Sequence, residues 1–368
     1  MSLDLNAPVE ALTRAVIDIP SVSGNEAALA DAVEQALRAY PHLSVERLGD
    51  AVVARTMLGR PQRVILAGHL DTVPIKDNVP SVLSADGTQV VGRGAVDMKA
   101  GVAVLLSLAA AVTEPTRDVT YLFYDHEEVD ASLNGLGRIG RERPELLAGD
   151  FAILGEPTGA VIEGGCQGTL RADVTVTGVA AHSARAWKGV NAVHRAAPLL
   201  TALADYVPFT VDVDGLTYRE GLNAVGIRGG IAGNVIPDSC TVTVNFRFAP
   251  TSDVEHAKTR LSIFVDEAFA GTGITPQVVW TDQSGGALPG LDAPLAQDFA
   301  RAVAATGVGA PRAKLGWTDV ARFGALGIPA VNYGPGDPEL AHADNEACPI
   351  DQIVACRAAL ERWLTAQA

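Results

Sequence analysis

Short apolar runs that alternate with helical segments constrain the fold of this chain more than any other feature. Residues 98–112 are rich in Ala and Leu, which is typical of a buried helix. Apolar runs of strand length lie at residues 63–67, 119–124, 151–154 and 330–333. Continuous apolar strands are typical of a parallel sheet that is covered on both faces. The pattern therefore predicts an α/β fold with a mostly parallel central sheet.

A different pattern begins at residue 170 and continues to residue 281. Strand-like segments lie at 170–176, 226–230, 240–248 and 275–280, and helical segments lie at 191–206 and 254–269. This β-α-β-β-α-β order predicts a compact α+β domain inserted into the first domain. We therefore expect a catalytic domain formed by residues 1–169 and 282–368, and an inserted domain at 170–281.

Composition and charge exclude several classes of protein. The 43 acidic and 28 basic residues give a net charge of −15, which opposes binding to nucleic acid. The sequence contains no apolar run long enough to span a bilayer and no recognisable secretion signal, so we expect a cytoplasmic protein without a membrane partner. The four cysteines form no C-x-x-C pair, which argues against a zinc knuckle or a redox dithiol.

Candidate metal ligands follow the predicted strands. They are His69, the pair Glu127 and Glu128, Glu156, and His342. In an open parallel sheet the carboxyl ends of the strands share one edge, so we expect these side chains to converge there. Imidazole nitrogens and carboxylate oxygens suit zinc without a thiolate ligand.

Two further acids lie close to these candidates. Asp71 follows His69 by two residues, so both side chains project to the same side of an extended backbone and Asp71 can orient the imidazole. Asp97 follows a glycine-containing loop and precedes the Ala/Leu-rich helix. It can cap that helix, or it can bridge two cations, and the sequence leaves both roles open.

The two adjacent glutamates are predicted to have different roles. Neighbouring residues point to different sides, so we assign Glu128 to a metal and Glu127 to the general base, with exposed loop acids as the alternative. Asp97, Glu128, Glu156 and a hydroxide would balance two divalent ions, and a single-ion site is the other possibility.

The chain has no convincing motif for nucleotide binding, for a helical zinc-protease site or for a serine hydrolase. The G-x-G-x-x-G match at residues 135–140 does not join a strand directly to a helix, so we do not interpret it as a nucleotide site. Neither H-E-x-x-H nor G-x-S-x-G occurs in the chain.

Taken in order, these segments resemble the M20 family of dizinc aminoacylases, deacylases and carboxypeptidases over nearly the whole chain. The resemblance implies a zinc-peptidase-like catalytic domain with two Zn²⁺, for which Co²⁺ can substitute. It implies that His69, Asp97 and Glu156 hold one ion, and that Asp97, Glu128 and His342 hold the other. Glu127 would be the acid/base and Asp71 its catalytic partner.

The same resemblance implies that the inserted domain is a dimerisation and lid domain. It pairs two subunits, and His182 reaches the active site of the partner subunit to stabilise the oxyanion. The expected substrate is a small N-acylated amino acid.

Within the family, residues 124–137, 182–188, 233–237 and 315–323 most resemble succinyl-diaminopimelate desuccinylases of the actinobacterial type. The resemblance implies hydrolysis of N-succinyl-L,L-2,6-diaminopimelate in lysine and cell-wall biosynthesis. Arg185, Arg247, Asn234 and Thr318 are the candidates for binding the substrate carboxylates, because guanidinium groups bind carboxylates with two hydrogen bonds.

Two departures and two alternatives accompany that interpretation. His126 replaces the usual Asp before the paired glutamates, and residues 164–168 lack the usual Arg. An acetylornithine deacetylase, aminoacylase or dipeptidase of the same family is the nearest alternative, and a non-catalytic metal- or peptide-binding protein is the remote one.

Overall fold

The computed structural model describes residues 2–366, which divide into two compact units. The first unit contains the chain up to Gly165, Pro289–Arg312 and the chain from Arg322 onward. The second contains Cys166–Leu288 and Ala313–Ala321. No helix within residues 2–366 combines the length and the apolar character that crossing a membrane requires.

The helices and strands are named here in chain order. The helices are α1 Val9–Ile17, α2 Ala27–Leu37, α3 Lys99–Ala111, α4 Gly135–Glu142, α5 Ala192–Arg195, α6 Ala197–Ala204, α7 Val254–Phe269, α8 Pro294–Ala304, α9 Val320–Ala325 and α10 Ile350–Thr365. The strands are β1 Ser44–Leu48, β2 Ala51–Arg55, β3 Arg63–His69, β4 Val82–Leu83, β5 Gln89–Val91, β6 Asp118–Tyr124, β7 Phe151–Leu154, β8 Glu163–Gly164, β9 Gly168–Thr177, β10 Ala181–His182, β11 Thr210–Val213, β12 Leu216–Arg219, β13 Gly221–Gly229, β14 Val235–Ile236, β15 Ser239–Phe248, β16 Gln277–Ser284, β17 Arg312–Ala313, β18 Ala330–Asn332 and β19 Ala347–Pro349.

The central sheet has the strand order β1-β2-β6-β3-β7-β18-β8-β17. Strand β3 runs parallel to β6 and β7, and β18 runs parallel to β7, whereas β1, β2 and β8 pair in the antiparallel sense. The buried parallel strands are the four apolar runs of the sequence, because a strand covered on both faces needs apolar residues at every position. The predicted α/β fold with a mostly parallel sheet is confirmed.

Helix α3 is buried along almost its whole length, which explains why it is apolar on every side. It contacts β3 and β6 of the sheet on one side, and α1 and α10 pack against it as well. A Cβ atom at Gly101 would lie 2.0 Å from the carbonyl oxygen of Gly155, just beyond the end of β7. Glycine therefore permits the close approach between α3 and the turn that carries Glu156.

The second unit contains a separate antiparallel sheet of order β13-β15-β9-β16, with α5, α6 and α7 packed against it. Side chains alternate along β15, so that Val242, Val244 and Phe246 join the core of this unit. The hairpin β11–β12 was not predicted from the sequence. Its turn, Asp214-Gly215, has positive φ at both residues. The dipeptide Asp-Gly is typical of such two-residue turns, so it could have indicated the hairpin.

We predict that Gly101→Ala lowers the free energy of unfolding of the metal-free protein by about 1–3 kcal/mol, because the added methyl group collides with backbone rather than with a flexible side chain. Urea unfolding followed by circular dichroism measures this. Gly140→Ala is the matched control, since it is also helical and its nearest neighbour is a Leu147 methyl at 3.5 Å. It should leave stability unchanged or raise it by about 0.5–1 kcal/mol. Equal stability of Gly101→Ala and the unmodified chain would contradict the packing argument.

Candidate metal centre

The ends of four parallel strands bring the predicted ligands to one edge of the central sheet. His69 is the last residue of β3, and the other ligand candidates lie in the loops that follow β6, β7 and β18. The loop residues are Glu127, Glu128, Glu156 and His342. This is the edge at which open α/β sheets bind ligands.

Three groups of side chains have ligand atoms within 4.8 Å of one another. The groups are His69, Asp97 and Glu156; His69, Glu127 and Glu128; and Asp97, Glu128 and His342. Asp97 belongs to the first and the third, so its carboxylate lies in position to bridge two ions. The structure thus brings together both sets of residues that the family resemblance implied.

The two imidazole rings lie between carboxylates. Nε2 of His69 is 3.1 Å from Oδ1 of Asp97, and Nε2 of His342 is 3.0 Å from Glu128 and 3.4 Å from Oδ2 of Asp97. Asp97 does not cap α3, since the N-cap residue of that helix is Met98 and it makes no side-chain cap. Of the two roles that the sequence left open for Asp97, the geometry fits cation binding.

The carboxylates at the centre favour the protonated, positively charged forms of both histidines. Hydrogen bonds to Asp97 and Glu128 raise the pKa of His342 to about 10. Burial by itself lowers the pKa of His69, but the hydrogen bond to Asp97 and the charges of Glu127, Asp71 and Asp97 raise that pKa well above its usual value. Histidine and carboxylate donors crowded in this way fit divalent cations, which would replace the ring protons.

Asp71 fixes the loop that carries the paired glutamates. It is fully buried, and its carboxylate accepts the backbone N–H groups of Glu127 and Glu128 at 3.0 Å each. The hydroxyl of Ser23 donates to the same carboxylate at 2.7 Å. The main-chain oxygen of Asp71 lies 3.0 Å from Nδ1 of His69, which directs Nε2 of the ring toward the other ligands.

His126, which departs from the family pattern, lies next to this loop, and its partners were not predicted from the sequence. His126 has φ of +59° and its Nδ1 lies 2.7 Å from the carboxylate of Asp125, which also accepts two hydrogen bonds from Arg138. The backbone N–H of His126 donates to buried Glu26 at 3.2 Å. The unusual histidine therefore contacts two acids behind the loop.

The remaining candidates all lie in the second unit. His182 is exposed, and its Nδ1 accepts the N–H of Ala184 at 3.0 Å. Asn234 lies beside it, because its carbonyl accepts the N–H of Ser183 and β10 pairs with β14. Arg185 is exposed in the turn after β10.

Arg247 and Thr318 are less accessible than His182 and Arg185. Arg247 is half-buried on β15, and burial, reinforced by the nearby charge of Arg171, lowers its pKa. Thr318 is 3% exposed, and its carbonyl oxygen lies 3.6 Å from the thiol of Cys166.

The segment that lacks the usual Arg also turns its side chains inward. Cys166 is buried, and burial raises its thiol pKa to about 11. Gln167 is 2% exposed, and its amide donates to the carbonyl of Arg219 at 2.7 Å. Gln167 therefore does not take over the role of a carboxylate-binding arginine.

Comparison with known proteins agrees with this geometry. Residues 65–366 match the peptidase family M20/M25/M40. A putative succinyl-diaminopimelate desuccinylase from Mycobacterium tuberculosis is 53% identical over 363 residues, which cover 98% of this chain and 99% of that protein. A succinyl-diaminopimelate desuccinylase from Corynebacterium glutamicum is 47% identical over 374 residues, which cover 99% of this chain and 98% of that protein.

Solved structures share the fold. A tripeptidase from Staphylococcus aureus has a TM-score of 0.79 at 21% identity, over 99% of this chain and 98% of that chain. A dinuclear metal-binding peptidase of the M20 family from Bacillus subtilis has a TM-score of 0.71 at 16% identity, over 98% and 97% of the two chains. The resemblance predicted from the sequence is confirmed, and this chain belongs to the M20 peptidase family.

Proposed function

We propose that this protein hydrolyses the amide bond of N-succinyl-L,L-2,6-diaminopimelate to give succinate and L,L-2,6-diaminopimelate. The observation that carries the proposal is the pair of ligand groups joined by Asp97, with Glu127 beside them. The names of the relatives at 53% and 47% identity support the choice of substrate. The product serves lysine and cell-wall biosynthesis, so the proposed location is the cytoplasm.

The proposed cofactor is a pair of zinc ions, with cobalt as a substitute. His69, Asp97 and Glu156 would hold one ion, and Asp97, Glu128 and His342 the other. When bound, such ions polarise an amide carbonyl and lower the pKa of water. Nitrogen and oxygen donors without a thiolate fit both metals.

Glu127 is the proposed acid and base. Its carboxylate takes a proton from the attacking water, and the oxygen of that water adds to the amide carbon. The carbon–nitrogen bond then breaks as Glu127 returns the proton to the departing amine, which is a poor leaving group until it is protonated. The hydrogen bond from the Glu127 backbone to Asp71 holds this loop in place.

His182 is suited to stabilising the oxyanion. Its Nδ1 accepts a backbone hydrogen bond, so the neutral ring carries its proton on Nε2 and can donate it. Within the described range 2–366 the guanidinium group of Arg247 makes no hydrogen bond or ion pair, whereas its backbone pairs within the sheet as part of β15. Arg247 is the proposed partner of a substrate carboxylate, together with Arg185, Asn234 and Thr318.

A homodimer is proposed in which His182 acts on the active site of the partner subunit. Strand β13 is an edge strand of its sheet, and Val225 and Ile227 on it are 59% and 52% exposed. An apolar edge strand of this kind is a typical surface for pairing with a second copy.

The substrate proposal predicts selective turnover. Zinc-loaded protein should cleave N-succinyl-L,L-2,6-diaminopimelate with a kcat/KM at least about 100-fold above that for N-acetylornithine or a dipeptide, because the succinyl carboxylate has a charged partner. Arg247→Gln should remove most of that preference. Arg228→Gln is the control, since Arg228 is 65% exposed and already pairs with Asp173. If the protein prefers N-acetylornithine or the dipeptide, the proposed amide hydrolysis still holds, but the proposed substrate is rejected.

The raised histidine pKa values predict proton release on metal binding. Below about pH 10 the ring of His342 in the metal-free centre carries a proton, and the pKa of His69 is raised as well, so loading metal near pH 7.5 should release at least about one proton. Zinc affinity should rise with pH up to about 10, where His342 loses its proton unaided. Isothermal titration calorimetry in buffers of different ionisation enthalpy measures the number of protons released. His342→Ala should remove about one proton, His182→Ala should remove none, and an unmodified chain that releases none contradicts the protonated centre.

Action of His182 in trans predicts complementation between two inactive variants. Glu127→Gln and His182→Ala should each have little activity, and Glu127→Gln should retain its metal. After unfolding and refolding together, the mixture should recover up to about a quarter of normal activity, because half of the dimers are mixed and each contains one intact site. Each variant refolded alone is the control. Absence of recovery in a mixture that does form mixed dimers would contradict action in trans.

A further inference from the structure

One buried carboxylate outside the ligand groups makes all of its side-chain hydrogen bonds to the loop that carries Asp97. Glu346 is 1% exposed. Its Oε1 accepts the N–H groups of Val96 and Asp97 at 2.8 and 2.9 Å. Its Oε2 accepts the N–H of Gly94 at 2.9 Å and Nη1 of Arg93 at 3.1 Å. One side chain therefore satisfies four donors of a single loop.

Glu346 also lies on the segment that carries His342, four residues further along the chain. Its carbonyl oxygen accepts the N–H of Gly92 at 3.0 Å, and Arg93 donates to the carbonyl of Ala343 at 3.1 Å. Directly after Glu346, strand β19 pairs with β5. Glu346 thus joins the segment that carries His342 to the loop that carries Asp97.

The chemistry of the four donors requires a carboxylate at this position. Each of its oxygens accepts two hydrogen bonds, and bonds to an ionised acceptor are stronger than neutral ones. In a glutamine, one of the two oxygens would become an N–H₂ group facing N–H donors, and Arg93 would lose its charged partner. Buried donors left without an acceptor would force the loop to shift.

We propose that Glu346 is a positioning residue of the metal centre, which sets metal affinity by fixing the carboxylate of Asp97 relative to the ring of His342. The inference rests on the two-ion centre proposed above. The N–H of Asp97 itself is one of the bonded donors, so displacement of the loop displaces a ligand shared by both ions. Groups that orient metal ligands in this way commonly contribute strongly to affinity.

The test is Glu346→Gln, with zinc affinity measured by competition with a chromophoric chelator. We expect the weaker-binding equivalent of zinc to lose about 10–100-fold in affinity. Saturating zinc should restore most of the turnover, with KM for the substrate unchanged. Thermal unfolding of the metal-free protein, measured in parallel, reports any general loss of stability.

Glu220→Gln is the matched control. Glu220 is 3% exposed, and it accepts hydrogen bonds from Arg260 and from the backbone of Ala249 in the second unit. This variant should lose stability without losing zinc affinity. Unchanged zinc affinity in Glu346→Gln, or an equal loss in Glu220→Gln, would overturn the proposal.

A second variant covers the case in which Glu346→Gln does not fold. Arg93→Lys keeps the charge and the three backbone hydrogen bonds of Glu346, but it removes the planar group that joins Glu346 to Ala343. It should weaken zinc binding in the same direction by a smaller factor, and normal affinity in that variant would then decide against the proposal. An unmodified chain that binds no zinc would instead reject the metal centre itself.

Discussion

Crowding of carboxylates at one edge of the central sheet is the constraint on which the rest of the site depends. Acids that are not ligands each have donors of their own: Asp71 has backbone N–H groups, Asp125 has Arg138, and Glu346 has Arg93 together with backbone N–H groups. Asp97 and Glu128 are paired instead with the two imidazole rings. The carboxylates that have histidine partners, rather than backbone or arginine donors, therefore lie at the place where cations fit.

Packing behind the site maintains this arrangement. Helix α3 starts two residues after Asp97, and its burial between sheet and helices allows little movement of its first turn. The contact between Gly101 and Gly155 joins the same helix to the turn that carries Glu156. One buried helix thus holds two candidate ligands, Asp97 and Glu156, that lie far apart in the sequence.

Much of the fold, and the grouping of the candidate metal ligands at one edge of the sheet, could be predicted from the sequence, because both depend on local patterns. Buried parallel strands are continuously apolar, and polar residues directly after them reach a common edge. Ser23 and Glu26 have the spacing of a capping box, but α2 begins at Ala27, Ser23 donates to Asp71, and Glu26 accepts the N–H groups of Gly24 and His126. Both side chains bond to residues distant in the sequence, which explains why the local pattern does not predict the start of the helix.

Interactions between distant residues could not be predicted in the same way. Glu346 and the loop it contacts are about 250 residues apart, and no local pattern distinguishes Glu346 from an exposed acid. The assignment of Ala313–Ala321 to the second unit is equally invisible in the sequence, because this segment follows a stretch that belongs to the first. The Asp-Gly hairpin, by contrast, had a local signal.

The unequal exposure of the two histidines distinguishes the two ends of the centre. The side chain of His69 is 1% exposed, whereas that of His342 is 53% exposed. Solvent therefore reaches the centre from the side of His342. If the centre holds the two ions proposed above, one would occupy an inner position beside His69 and the other an outer position beside His342, and we expect the outer ion to exchange faster.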